Sequence, residues 1–244
     1  MTHSVTTDTM RYQLYYWPTI QGRGEFIRLA LEEAQVPYTD VARGKDGTQK
    51  LIKKMQQGPT PSFAPPFLVA GQQTLGQVAN ILQFIGAAHG LAPGDPAGQA
   101  WVNQLQLTIA DMVAEVHDTH HPLASSLTYE AQAGPAKKRA AAFIKERIPK
   151  FLDYFEDLLG RAGEGGYFLG ASVTYADLSM FQLIEGLRYA FPKAMARVEM
   201  NYPRLMQLRE QVAARPRIAA YLKSKRRIAF SEEGIFRHYP ALDK

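Results

Sequence analysis

The chain has 244 residues, of which 46% are hydrophobic and 21% charged, with no cysteine and a formal net charge of +5. That length suits one large domain or two small ones, and that apolar share supports a sizeable core and excludes wholesale disorder. The absence of cysteine excludes disulfides, thiolate metal sites and a cysteine nucleophile.

Residues 1–10, MTHSVTTDTM, are polar and lack an apolar signal-peptide core, so they read as a flexible tail. No apolar run approaches the ~20 residues that span a bilayer. The expectation is a cytoplasmic protein with no membrane partner. Tyr12 to Tyr16 is aromatic and apolar, is bounded by Pro18, and reads as a strand. From about Arg23 to Ala34, Phe26, Leu29, Ala30 and Glu33 fall at helical spacing. Val36 to Val41 reads as a second strand, and Lys45 to Gln57 as a polar, lysine-rich helix. Four prolines between positions 59 and 66 exclude regular structure there. Phe67–Val69 and Gln73–Leu75 flank Ala70-Gly71 as a hairpin. Val78, Ile81, Leu82 and Ile85 predict an amphipathic helix. The order β-α-β-α-β-β-α over 11–88 matches a thioredoxin-like sheet covered by helices.

His89 to Gly98 is rich in glycine and proline and reads as a linker. Beyond it, 99–244 reads as all-helical. Val102, Leu105, Ile109, Met112, Val113 and Val116 form one stripe. Phe143, Ile144, Ile148, Phe151, Leu152, Phe155 and Leu159 form another. Shorter helices are predicted near 175–190, 203–214 and 216–226. The fold class is therefore an α/β thioredoxin-like N-terminal domain followed by an all-α domain. The basic run Lys223, Lys225, Arg226 and Arg227 has no interleaved aromatics, so it reads as a solvated helix end with no nucleic-acid partner.

Three stretches resemble the cytosolic glutathione S-transferases of the tyrosine-type classes (alpha, mu, pi, sigma). YYWPTIQGRGEFIRLAL, residues 15–31, is similar to the family's opening around its catalytic tyrosine and Gly-Arg-Ala-Glu run. APPFLVAGQQTLGQVANILQFIG, residues 64–86, is similar to its cis-proline, hairpin and glutathione-binding helix. ASVTYADLSMFQLIEGL, residues 171–187, is similar to the Ser/Thr-x-x-Asp helix start of its C-terminal domain. The segment NYPRLMQLREQVAARPRIAAYL is similar to the family's last helices.

The resemblance implies glutathione as co-substrate, no metal, a small hydrophobic electrophile as second substrate, and a homodimer. Glutathione reacts as its thiolate, and a phenol beside the sulfur favours that anion by donating a hydrogen bond. The pattern implies Tyr16 as that phenol, with Tyr15 and Thr19 as rivals. Trp17, Arg23, Lys53, Pro65, Pro66, Gln77 and Val78 are implied around glutathione. Pro66 is the implied cis-proline, which leaves Pro65 with only its carbonyl to offer. Val78 stands where the family commonly has serine, although the helix N-terminus still favours an anion. Trp17, Thr19, Met112, His117 and Tyr129 are implied near the second substrate. Asp118 is the acid, among Asp111, Glu115, Asp118 and Thr119, implied to reach a partner's glutathione. Phe63 either inserts into a partner subunit or packs locally.

Thr174 and Asp177 form a predicted capping box, a folding device. His117 and His121, at i and i+4, allow a metal reading, but no strong third ligand accompanies them. The alternatives to conjugation are a non-catalytic ligand-binding protein of the same fold, and a glutathione-dependent isomerase or peroxidase using the same site.

Overall fold

The computed structural model describes residues 11–244, and the N-terminal tail expected over 1–10 lies outside the described residues. The first half runs β1 (Tyr12–Tyr15), α1 (Gly24–Glu33), β2 (Tyr38–Asp40), α2 (Gly47–Met55), β3 (Phe67–Ala70), β4 (Gln73–Gly76) and α3 (Val78–His89). The strands form one sheet in the order β2-β1-β3-β4. β1 pairs with β2 in parallel and with β3 antiparallel, in the register Leu14 to Leu68. This is the thioredoxin-like arrangement.

Strand alternation decides what each face covers. Tyr12 and Leu14 enter the main core with α1 and α3, while Tyr15 joins Ala42, Leu51 and Phe67 in a smaller cluster under α2. The helical half comprises α4 (Pro96–Asp118), α5 (Ala133–Ala142), α6 (Ile148–Arg161), α7 (Tyr175–Ala190), α8 (Pro192–Val198), α9 (Pro203–Ala214) and α10 (Pro216–Leu222). Of these, α5 and α8 were not resolved by periodicity. The expected stripe from Phe143 to Leu159 is interrupted by a π-helical segment, Phe143–Arg147. Pro149 has no N–H for the carbonyl four residues back, so the ladder shifts register just before it, and Ile148 N–H bonds instead to Phe143 O.

Helix α7 is the hub, buried along nearly its whole length. It contacts α1, α3, α4, α8 and α9. Its start is the predicted capping box. The Asp177 carboxylate is fully buried and accepts bonds from the Thr174 N–H at 2.7 Å, the Thr174 hydroxyl at 2.7 Å and the Phe168 N–H at 2.9 Å. Burial pushes its pKa up to about 6, against those donors, which pull it down.

Of the basic C-terminal run, Lys223, Lys225 and Arg226 are exposed as expected, whereas Arg227 is not. Arg227 has a side chain only 11% exposed and donates to buried Glu25 at 2.6 Å, while Arg226 pairs with Glu32 at 2.9 Å. Arg215 pairs with Glu33 at 2.6 Å. These bonds fasten the segment after α9 to α1. The remaining residues run back across the helical half. Phe236 packs on Gly186, where a Cβ would overlap its ring, and Asp243 accepts the N–H groups of Lys193 and Ala194 at the start of α8.

Replacing Asp177 by Ala strands two buried N–H groups and a hydroxyl. Stability is expected to fall by about 3 kcal/mol, at about 1–3 kcal/mol per orphaned group. A thermal melt should show Tm lowered by about 10 °C. An unchanged Tm would show that the box does not anchor α7.

Candidate active site

The site begins where β1 ends. Tyr15 turns under the sheet, stacks on Phe67 with ring centroids 4.6 Å apart, and donates its hydroxyl to Gln13 Oε1 at 3.0 Å. Tyr16 points the other way, against the first turn of α1, and is only 4% exposed. The two glycines of the GRGE run make this possible. A Cβ on Gly22 would overlap the Tyr16 hydroxyl, and one on Gly24 would come within 2.5 Å of its ring. Gly22 also holds φ +45°, a conformation that favours glycine.

The Tyr16 hydroxyl accepts the backbone N–H of Arg23 at 2.9 Å. This bond uses a lone pair and leaves the O–H proton free of any partner among the described residues. Burial raises the phenol's pKa, opposed by the Arg23 N–H and by the charges of Arg23 and Arg28. Tyr16 is therefore a neutral donor at pH 7, oriented by the helix that follows it.

Arg23 connects this point to a cleft of about 370 Å³ between α3 and α4. Gln77, Val78, Asn80, Asn103 and Gln106 line it. Gln77 is exposed, holds φ +67° and begins α3, so the first N–H groups of that helix are open to an anion. Gln106 was not expected. It is 1% exposed, and its Oε1 has no partner among the described residues. The available signal was an amide directly after Leu105, on the buried face of α4.

Other expected residues are placed as follows. The cis bond joins Pro65 and Pro66, directly before β3. Trp17 is 37% exposed and Thr19 is exposed beside it, while His117 is half-buried. Met112 is a correction: it is fully buried in the main core, on the inward face of α4, and presents no surface to a substrate. Lys53 is exposed on α2, and Asp111 and Asp118 are exposed on α4. Glu115 is committed to Arg147, at 2.7 Å, and Arg139. Tyr129 stacks on Tyr239 at 3.8 Å, and Phe63 is 95% exposed.

His117, His120 and His121 form one stacked cluster under the C-terminal segment. Among the described residues no group of three or more His, Asp or Glu side chains is placed to hold a metal ion. The hydrogen bonds fix the tautomers instead. His120 Nε2 lies 2.7 Å from the Ile235 carbonyl, so it carries the proton. His120 Nδ1 then accepts from His121 Nδ1–H. A second proton on His120 would break this chain. Burial pushes the His120 pKa down to about 3, and Arg237 and the neighbouring histidines act in the same direction. Residues 230–236 of the same segment come down on Gln21 and Gly22, beside the Tyr16 hydroxyl.

The family model described as glutathione S-transferase, C-terminal domain, matches residues 117–225. The glutathione S-transferase P 1 of Xenopus laevis is 29% identical over 225 residues, covering 88% of this chain and 93% of that one. The glutathione S-transferase of Plasmodium yoelii yoelii is 27% identical over 211 residues, covering 84% and 90%. The solved pi-class glutathione S-transferase of Onchocerca volvulus superposes with a TM-score of 0.67 at 23% identity, covering 87% and 92%, a likeness of fold. These matches support the chain as a member of the glutathione S-transferase family and an enzyme of that kind.

Neutral His120 makes stability pH-dependent. Its folded pKa lies below the unfolded value of 6.5, so its contribution is complete above 6.5 and is lost as pH falls below it. Each unit below 6.5 removes up to about 1.4 kcal/mol. Between pH 7 and pH 5, denaturant titration should show His120→Gln losing about 2 kcal/mol less stability than the parent, since the contribution of His120 is removed from both ends of the comparison. An equal loss in both proteins would rule out the neutral latch.

Proposed function

We propose that this chain conjugates the thiolate of glutathione to a small hydrophobic electrophile. The observation that carries this reading is the Tyr16 phenol: neutral, buried against α1, and held by the Arg23 N–H with its own proton free. Glutathione gives up its thiol proton to solvent water, the sulfur forms a bond to the electrophilic carbon, and any displaced group leaves with the pair of its broken bond and, where basic enough, takes a proton from water; in an addition, the adduct does. Tyr16 donates to the sulfur and so favours the anion before attack.

Gln77 and the N-terminus of α3 hold the γ-glutamyl carboxylate, with Val78 contributing backbone but no hydroxyl. Arg23 adds charge from the facing side of the cleft. Pro65 offers its carbonyl to the cysteinyl amide, ahead of cis Pro66. Trp17 borders the tripeptide, and exposed Lys53 lies on the side of its glycine carboxylate. The electrophile occupies the space beside Trp17, Thr19 and His117, bounded by the C-terminal segment. The working molecule is a homodimer, and Phe63, exposed on the proline-rich loop before β3, enters the partner. No step uses a metal.

Steady-state kinetics with a generic aromatic chloride tests the chemistry. Tyr16→Phe should lower turnover by about 100-fold, the usual cost of removing one donor to a developing anion. Glutathione affinity, measured by calorimetry, should change little. Full turnover in Tyr16→Phe would remove Tyr16 from its role.

The assembly has a separate test. Phe63→Ser should shift the sedimentation profile from dimer toward monomer, because a buried aromatic at an interface contributes on the order of 2 kcal/mol or more. An unshifted dimer would assign Phe63 to the surface alone.

A further inference from the structure

Where α10 of the helical half meets α1, beside β2, lies a groove of about 900 Å³. It is a separate cavity from the cleft at Gln77, and the two share no lining residue. Arginines reach it from four parts of the chain: Arg11 before β1, Arg43 after β2, Arg217 on α10, and Arg226 beyond α10. Val36, Pro37 and Ala220 add apolar groups to its lining.

Two carboxylates also border the groove, and both are already engaged. Asp40, with a side chain 11% exposed, receives Arg28 Nε at 2.8 Å from the fully buried interior. Glu32, 9% exposed, receives Arg226 at 2.9 Å and the Tyr38 hydroxyl at 2.9 Å. Both carboxylates are therefore largely covered and neutralised. Arg226 stays 59% exposed despite its pair.

The arginines are also pre-positioned. Arg43 donates through Nη1 to the Arg226 carbonyl at 2.6 Å and through Nη2 to the Lys225 carbonyl at 3.3 Å, and Arg217 Nη1 donates to the Glu33 carbonyl. These bonds occupy one edge of each planar fork. The Nε of Arg43, and Nε and Nη2 of Arg217, have no hydrogen-bond partner among the described residues. Fixed guanidinium forks that converge from different elements match phosphate oxygens, which they bind in bidentate pairs. The volume is near the upper end for small-ligand sites, and the apolar groups of the lining suit a flat organic body.

We propose that this groove binds a phosphorylated small molecule of nucleotide size, with its phosphates on Arg43, Arg217 and Arg226 and its apolar body on Val36 and Pro37. The site is independent of the conjugation chemistry, because none of these residues borders Tyr16 or the α3–α4 cleft.

The test is calorimetric titration of the full chain with ATP, in the presence of saturating glutathione. Saturable binding is expected, weakening as salt rises. Thr39, exposed on edge strand β2 and lining the groove, gives a variant that leaves the tethering arginines in place. Thr39→Glu should weaken ATP binding at least tenfold while Thr39→Gln binds as the parent does, and both should keep the parent's conjugation rate. Arg217→Ala should likewise lose at least tenfold. The proposal is overturned if ATP does not bind, if excess glutathione displaces it, if Thr39→Glu binds it as tightly as the parent, or if duplex DNA competes for the groove at lower concentration than ATP.

Discussion

The carboxylate of Glu25 has no exposure at all, and the joining of the two halves depends on it. A buried charge is tolerated only when it is paired and hydrogen-bonded. Glu25 meets that condition with groups from both ends of the chain: Arg28 at 3.2 Å, the Tyr221 hydroxyl at 2.7 Å and Arg227 at 2.6 Å. Arg28 is itself fully buried and needs Asp40 as well. The result is a polar network that pins α10 and the segment after it to α1, with Arg28 Nη2 and Asp40 Oδ1 left unpaired among the described residues. Removing one member would leave the others uncompensated, a cost of about 3–5 kcal/mol.

This network also governs the site, because α1 is the element against which Tyr16 is set. Arg28 of the network lies 5.9 Å from the Tyr16 ring centroid, and its charge helps oppose the rise in the phenol's pKa. Arg227 extends the network through Gln182 to Gln21, the residue before Gly22. Folding of the helical half and placement of the phenol are thus linked by covalent neighbours and hydrogen bonds rather than by general proximity. The return of α10 to α1 is what makes the link possible.

The sheet order, the hairpin and the long helices were legible because period-2 and period-3.6 patterns report directly on which face is buried. Asp177 was legible because capping is local in sequence. The long-range polar partners were not. Nothing near Arg227 indicates that its counterion lies about two hundred positions earlier, and a run of basic residues looks the same whether solvated or paired. A faint signal did exist at the other end: Glu25 and Arg28 sit among Phe26, Ile27 and Leu29, where a charged pair on a buried helix needs partners from elsewhere. Tyr15 and Tyr16 could not be separated by strand parity until β3 fixed which face carried Phe67. Met112 had the periodicity of the core and lies in it, so there the periodicity was the better guide.

Val78 brings no hydroxyl to the start of α3, yet the cleft as a whole is not poor in polar groups. Asn80, Gln83, Asn103 and Gln106 all line it, together with Arg23. A γ-glutamyl group is a zwitterion, with a carboxylate that needs donors and an ammonium that needs acceptors. A serine hydroxyl serves mainly the first need. Amide side chains serve both, since each carries a donor NH₂ and an acceptor oxygen. Gln106 is the informative member, because its buried Oε1 lacks a partner among the described residues and sits where an ammonium would supply one. Under the proposed function, Asn103 and Gln106 on α4 supply donors and acceptors to the γ-glutamyl zwitterion from the side facing the start of α3, and each such bond is charge-assisted as a serine's would be.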